Sequence, residues 1–221
     1  RASLAEHFAA EDMLLDYGPD SDETSEVVLQ SVHQEKDPYG ILASQPKAIY
    51  GHFPVKRYVN LSTCSNVITF LRNPVDRVWS EFKHFKRVAN FNDSFEAFVN
   101  TKRFINSQQA FLVGMPWMAI GFIGISERYQ ESLELLGQKL GMSLQEQELN
   151  RAPEKSASLP SKEEIELIEG KNQIDMHIYQ QASAQFDWRV RLAESGTPFT
   201  VGGWGLNTDR GSIFGFAFYE S

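Results

Sequence analysis

An arginine closes the clearest strand in the chain. Asn66 to Leu71 is an unbroken apolar and β-branched run, and Arg72-Asn73-Pro74 follows it. A run of that kind reads as a strand buried on both faces. Asn is a favoured N-cap and Pro a favoured first helical residue, so a helix is expected at once, over Val75 to Val88. Arg72 then stands at a strand's carboxyl end beside a helix N-terminus, with its unpaired N–H groups and positive partial charge. Ser80, eight residues further on, lies about two turns into that helix. A guanidinium fork and a rotatable hydroxyl can hold one phosphate between them. An ordinary strand-to-helix junction with a surface arginine would read the same way, and the string by itself leaves both open.

Two more strings carry reactive groups. His52 sits between Gly51 and Phe53-Pro54 at the end of the apolar stretch Ala48 to Val55. Imidazole is the usual general base for a hydroxyl near neutral pH, although a capping or surface histidine has the same signature. Asn150 to Ser156, with Arg151, Lys155 and Ser156, offers donors suited to covering a phosphate, although its composition is that of a solvated connector. His7, His33, His84 and His177 have no Cys or carboxylate at ligand spacing, so no metal site is assigned.

These groups need elements to hold them. Phe122 to Ile125 reads as a second buried strand, and Ser126 opens a helix expected to run to Leu136 and stop at Gly137. Ala2 to Ala10 reads as helix interior, Tyr17 to Ser25 as a loop, and Ser94 as the N-cap of a further helix. Val27 to Val32 fits helix or strand. Ser161 to Glu164 has the form of a capping box, followed by helical pieces over Glu163 to Ile168 and Asn172 to Phe186. Strands alternating with helices predict an α/β fold with a parallel sheet, which binds ligands at the carboxyl ends of its strands. From Thr197 the texture changes. Phe199 to Leu206, a turn at Asn207 to Gly211, and Ile213 to Tyr219 read as a β-hairpin. The expected division is therefore an α/β domain over 1–195 and a hairpin, or the start of a small β-module, over 196–221.

Composition narrows the classes. The 221 residues are 42% hydrophobic and 23% charged, which excludes a disordered or low-complexity chain. No apolar run approaches the roughly 20 residues that span a bilayer. Net charge is -8, which argues against nucleic acid as a partner, although Arg77, Lys83, Lys86 and Arg87 cluster against that average. The single Cys64 forms no internal disulfide and fits a reducing compartment. A cytoplasmic location is the expectation, or the Golgi lumen for a eukaryotic chain.

Taken together the strings resemble a family. The segment LRNPVDRVWSEF looks like the 3'-phosphate-binding segment of sulfotransferases that use 3'-phosphoadenosine-5'-phosphosulfate, and YGHFPV resembles their glycan-type catalytic-base segment. GFIGISERYQESLELLG is similar to the strand and helix that follow. LNRAPEKSASLPSKEEIELI, with NQIDMHIYQQASAQF, resembles the cofactor-covering loop and last helices. The resemblance runs in order from Arg1 to Phe186, nearest to the heparan sulfate 2-O type and bacterial counterparts. It implies a P-loop-type sheet, His52 as catalytic base, Arg72 and Ser80 on the 3'-phosphate, and Lys155 and Ser156 in the covering loop. It also implies sulfuryl transfer to a hydroxyl of a carbohydrate, with adenosine 3',5'-bisphosphate as product and no metal. The family's 5'-phosphosulfate loop, of Pro-Lys-Thr-Ala-Gly-Thr type, is missing, so the expectation is that Arg1 to Ser221 is an interior piece of a longer polypeptide. The tail weakly resembles a Gly-Trp β-module of bacterial carbohydrate-active proteins. Two other readings stay open: a phosphoryl-transfer enzyme on a similar scaffold, and a non-catalytic nucleotide- or glycan-binding protein.

Overall fold

The apolar runs are short parallel strands in the computed structural model, which describes residues 7–88, 91–144, 159–196 and 213–216. β1 (Met13–Asp16) lies beside β2 (Ala48–Gly51), and β3 (Val67–Leu71) beside β4 (Phe122–Ile125). β5 (Ile213–Phe216) bridges the two pairs, parallel to both β2 and β3, so the order is β1-β2-β5-β3-β4. β2 and β4 are buried at every position, as strands covered on both faces must be.

Helices flank this α/β sheet. α1 (Glu26–Val28) continues as a π-turn over Leu29–His33, and α2 (Gly40–Ser44) follows. α3 (Pro74–Val88) starts where Asn73 and Pro74 predict, and buries Pro74, Val78 and Phe82 at a spacing of four. α4 (Phe95–Val99) is capped by Ser94, whose Oγ accepts from the Ala97 N–H. α5 (Ser107–Leu112) and α6 (Tyr129–Leu140) come next. α7 (Lys162–Lys171) opens with a complete capping box: Ser161 Oγ accepts from the Glu164 N–H, and Glu164 Oε2 from the Ser161 N–H. α8 (Gln173–Glu194) and α6 both pack on β4.

Three expectations need correction, and one strand went unforeseen. The helix read over Ala2 to Ala10 is not found over its described part: His7 and Phe8 turn, and Ala10–Asp12 is one 3-10 turn leading into β1. β1 itself escaped sequence reading because four residues with alternating burial give little periodic signal. Gly137 does not end its helix. The chain passes it and stops at Gly141, in the left-handed region at φ 65°. Gly137 instead admits the Met142 carbonyl, which would lie 2.6 Å from a Cβ there. Finally, the second strand of the expected hairpin is β5, an interior strand of the main sheet with parallel neighbours on both sides. The other hairpin strand and its turn lie outside the described residues.

The core has two parts. The larger surrounds the sheet and includes Ile49, Leu71, Phe122, Ile123, Leu136 and Phe186. The smaller is aromatic. Phe82, Phe98 and Phe104 pack with Val78, Val99 and Ile168 beneath α3, α4 and α7, and the Phe98 ring stacks on Phe104 at 3.9 Å. Phe98 is fully buried and also meets Phe82, Phe85 and Phe91 edge-on or tilted. Replacing it by alanine is expected to cost about 3–5 kcal/mol, through lost transfer energy and a cavity the ring stack cannot close. Urea denaturation of the Phe98→Ala protein measures this; a loss under about 1 kcal/mol would mean the cluster collapses into the gap.

Candidate functional site

Parallel strands bring their carboxyl ends to one edge, and the chemistry-bearing residues lie there. Asp16 ends β1, His52 follows β2, Arg72 follows β3, and Ser126-Glu127 follow β4. β5 separates β2 from β3, so two strand spacings, roughly 10 Å, separate the positions after those strands.

At the β1–β2 end the backbones approach very closely. A Cβ on Gly51 would lie 1.9 Å from the Asp16 carbonyl, so only glycine fits. That carbonyl accepts the His52 N–H at 2.8 Å, and the Tyr17 ring stands edge-on to the imidazole at 5.1 Å. His52 is half-buried, its backbone held by β1 and one ring face by Tyr17.

The Asp16 side chain is fully buried and fully used. Oδ1 accepts from His33 Nε2 at 2.9 Å and from the Gly18 N–H at 3.1 Å. Oδ2 accepts from Arg57 Nη1 and from the Tyr58 hydroxyl, both at 2.7 Å. Burial alone would raise this carboxyl's pKa. The bonds from Tyr58, His33 and Arg57, with the Arg57 charge, outweigh it and hold the group below its ordinary value. Burial and the adjoining Asp16 charge drive the Tyr58 phenol's pKa far up, so it stays a donor.

At the β3–β4 end the peptides of Arg72 and Asn73 are held by side chains. The Arg72 N–H donates to Gln108 Oε1, and Gln108 Nε2 donates to the Arg72 carbonyl, each at 2.9 Å. The Asn73 N–H donates to Glu127 Oε1 at 2.7 Å, and the Tyr179 hydroxyl to Glu127 Oε2 at 3.0 Å. Burial first, then the Glu127 charge, pushes the Tyr179 phenol up to about 12.

The start of α3 differs from expectation in one respect. Its first amides are not open to a ligand: Asn73 Oδ1 accepts from Val75 N–H at 2.9 Å and from Asp76 N–H at 3.4 Å, and Pro74 has none. An anion here would rest on side chains. Ser80 is half-buried and lies seven residues after Asn73, on the same side of the helix. Lys155 and Ser156 lie outside the described residues.

Three half-buried arginines are ion-paired where Arg72 is not. Arg57 is bound to Asp16, Arg77 to Glu81, and Arg128 to both Glu131 and Asp187. The half-buried Arg72 guanidinium has no such partner among the described residues. A groove of about 930 Å³ beside Asn73 is lined by Glu166, Glu169 and Asp187 with Tyr179 and Ser183, a carboxylate-rich wall unsuited to phosphate.

Sequence reasoning missed Asp16, Gln108 and Glu127. The only signal for Asp16 was an acid closing an apolar stretch before Gly18-Pro19, and Gln108 and Glu127 stood among polar residues with no pattern. Comparison with family models, with curated proteins and with solved structures finds no match to this chain. No helix among the described residues is long and apolar enough to cross a membrane.

The Asp16 cluster makes a pH prediction. Its native pKa lies below the ordinary 3.8, so its contribution is whole above that value and is lost as pH falls through the native pKa. The stability gap between wild type and Asp16→Asn is expected to hold from about pH 7 to about pH 5 and to narrow further down. Urea titrations across that range measure it, and a gap indifferent to acid would show that the charge does not hold the cluster.

Proposed function

We propose that this chain binds 3'-phosphoadenosine-5'-phosphosulfate and transfers its sulfuryl group to a hydroxyl of a carbohydrate acceptor. The observation that carries the reading is Arg72: a half-buried cation at the ligand-binding edge of a parallel sheet, without an acidic partner among the described residues while Arg57, Arg77 and Arg128 have one. The sheet would then be of the P-loop type, with β3 as the clamp strand. The single Cys64 suits a reducing compartment such as the cytoplasm.

The donor set fits the 3'-phosphate end of that nucleotide. Arg72 supplies a two-pronged, permanently charged donor, and Ser80 a hydroxyl from the helix that begins beside it. When bound, the nucleotide would supply the sulfuryl group and leave as adenosine 3',5'-bisphosphate. Arg72 and Ser80 anchor its far phosphate, which turns binding into orientation. His52 accepts the acceptor hydroxyl's proton as that oxygen becomes the nucleophile. Tyr17 against the ring and Asp16 on the backbone N–H limit the imidazole's movement.

Phosphoryl transfer on the same scaffold would use a strand-end aspartate to hold magnesium. Asp16 is such a residue, but all four of its acceptor positions are taken, one by the Arg57 cation. That favours the sulfuryl reading.

Arg72→Ala and Ser80→Ala are each expected to weaken adenosine 3',5'-bisphosphate binding by about 1–3 kcal/mol in calorimetry. Full affinity in both variants would remove the cofactor assignment. His52→Ala is expected to lower sulfate transfer to a glycan acceptor by about 10²–10⁴-fold with the nucleotide affinity unchanged. A rate within a few-fold of wild type would place the base on another residue.

A further inference from the structure

Among the described residues, both ladders that support β3 stop short of Arg72. The last pair with β4 is Leu71 and Ile125, and the last with β5 is Thr69 and Phe216. One side chain takes over from there. The Gln108 amide accepts from the Arg72 N–H and donates to the Arg72 carbonyl, both at 2.9 Å, as a residue of an adjacent strand would. The amide prolongs the paired edge of β3 by one residue, at the residue whose guanidinium lacks an acidic partner among the described residues.

Gln108 is itself held from two sides. It is 1% exposed, which fixes its rotamer. Its own N–H and that of Gln109 donate to the two oxygens of Asp175, at 2.9 and 2.7 Å, and Asp175 is buried in α8. The bond is reciprocated. Asn106, at φ 48°, accepts from the N–H groups of Ile174 and Asp175, and its own N–H donates to Asn172. The starts of α5 and α8 thus cap each other, and Gln108 projects from that joint onto the end of β3. Burial pushes the Asp175 carboxyl's pKa up, and the two amides it accepts from oppose the shift.

We propose that Gln108 is a positioning residue for the anion that Arg72 holds: by fixing the Arg72 peptide it fixes the direction of the Arg72 side chain, and so the place where a 3'-phosphate can sit. The proposal rests on the sulfuryl-transfer reading, and its test separates the two. An apolar residue in place of Gln108 leaves the Arg72 N–H and carbonyl without partners, and the peptide is then free to rotate away.

The experiment compares adenosine 3',5'-bisphosphate with adenosine 5'-monophosphate, which lacks only the phosphate assigned to Arg72. Calorimetry is run on wild type, Gln108→Met, Arg72→Ala and the double variant. Gln108→Met is expected to weaken the bisphosphate by about tenfold and to leave the monophosphate within about twofold. Adding it to Arg72→Ala is expected to cause no further loss, because it acts through that arginine. Equal weakening of both ligands, an unchanged bisphosphate affinity, or additive losses would each overturn the role. A wild type that holds both ligands equally would overturn the cofactor reading, and the role of Gln108 with it. Should Gln108→Met fail to fold, nitrogen-15 NMR of the wild type decides. The Gln108 side-chain amide signals are expected to shift with the bisphosphate and not with the monophosphate; no shift, or the same shift with both, overturns the proposal.

Discussion

A short strand that ends inside a protein leaves its last peptides without a ladder, and buried N–H and carbonyl groups must find other partners. Every described strand here is four or five residues long, so this constraint recurs along the whole carboxyl edge. At β1 the Asp16 carbonyl takes the His52 N–H. At β3 the Arg72 peptide takes the Gln108 amide, and the Asn73 N–H takes Glu127. At β4 the Ile125 N–H and carbonyl both use Ser132 Oγ from α6. The residues at this edge are held by the groups that complete these ladders, without long strands.

Charge at this edge follows the same logic of satisfaction. A buried carboxylate persists only when its charge and lone pairs are matched, and Asp16 meets an arginine, a phenol, an imidazole and a backbone amide. That cluster ties the end of β1 to the π-turn carrying His33 and to the Val55–Arg57 turn after β2. Asp175 performs the matching task at the other end, with backbone amides in place of cations. Arg72, at the end of β3, has no acidic partner among the described residues.

The aromatic cluster under α3 serves the site from a distance. α3 carries Ser80 and starts beside Arg72, and its buried stripe of Val78 and Phe82 docks on Phe98, Phe104 and Ile168. Lys86 lies over the Phe82 ring, and Arg103 over Phe85 and Phe104. Lys86, one of the basic residues of α3, thus covers an aromatic face rather than standing free in solvent.

Some of this was written locally in the chain. Asn73-Pro74 starts a helix wherever it follows a strand, because the cap and the fixed φ act within a few residues. The same holds for Ser94 and for the Ser161–Glu164 box, and for the apolar runs of β2, β3 and β4, where composition alone signals burial on both faces. The alternation of those elements was enough for a parallel α/β sheet. Local sequence could not say that Gly137 is a point of close packing rather than a stop, since that depends on a carbonyl five residues away folding back. Nor could it place Ile213–Phe216 between β2 and β3, because strand order is decided by contacts between segments more than a hundred residues apart. Gln108 and Glu127 reached the end of β3 only in the assembled fold, Gln108 from α5 and Glu127 from the turn before α6, and Asp175 of α8 holds the start of α5 in place. Propensity acts over a few residues; hydrogen-bond satisfaction in a buried edge is a property of the assembled chain.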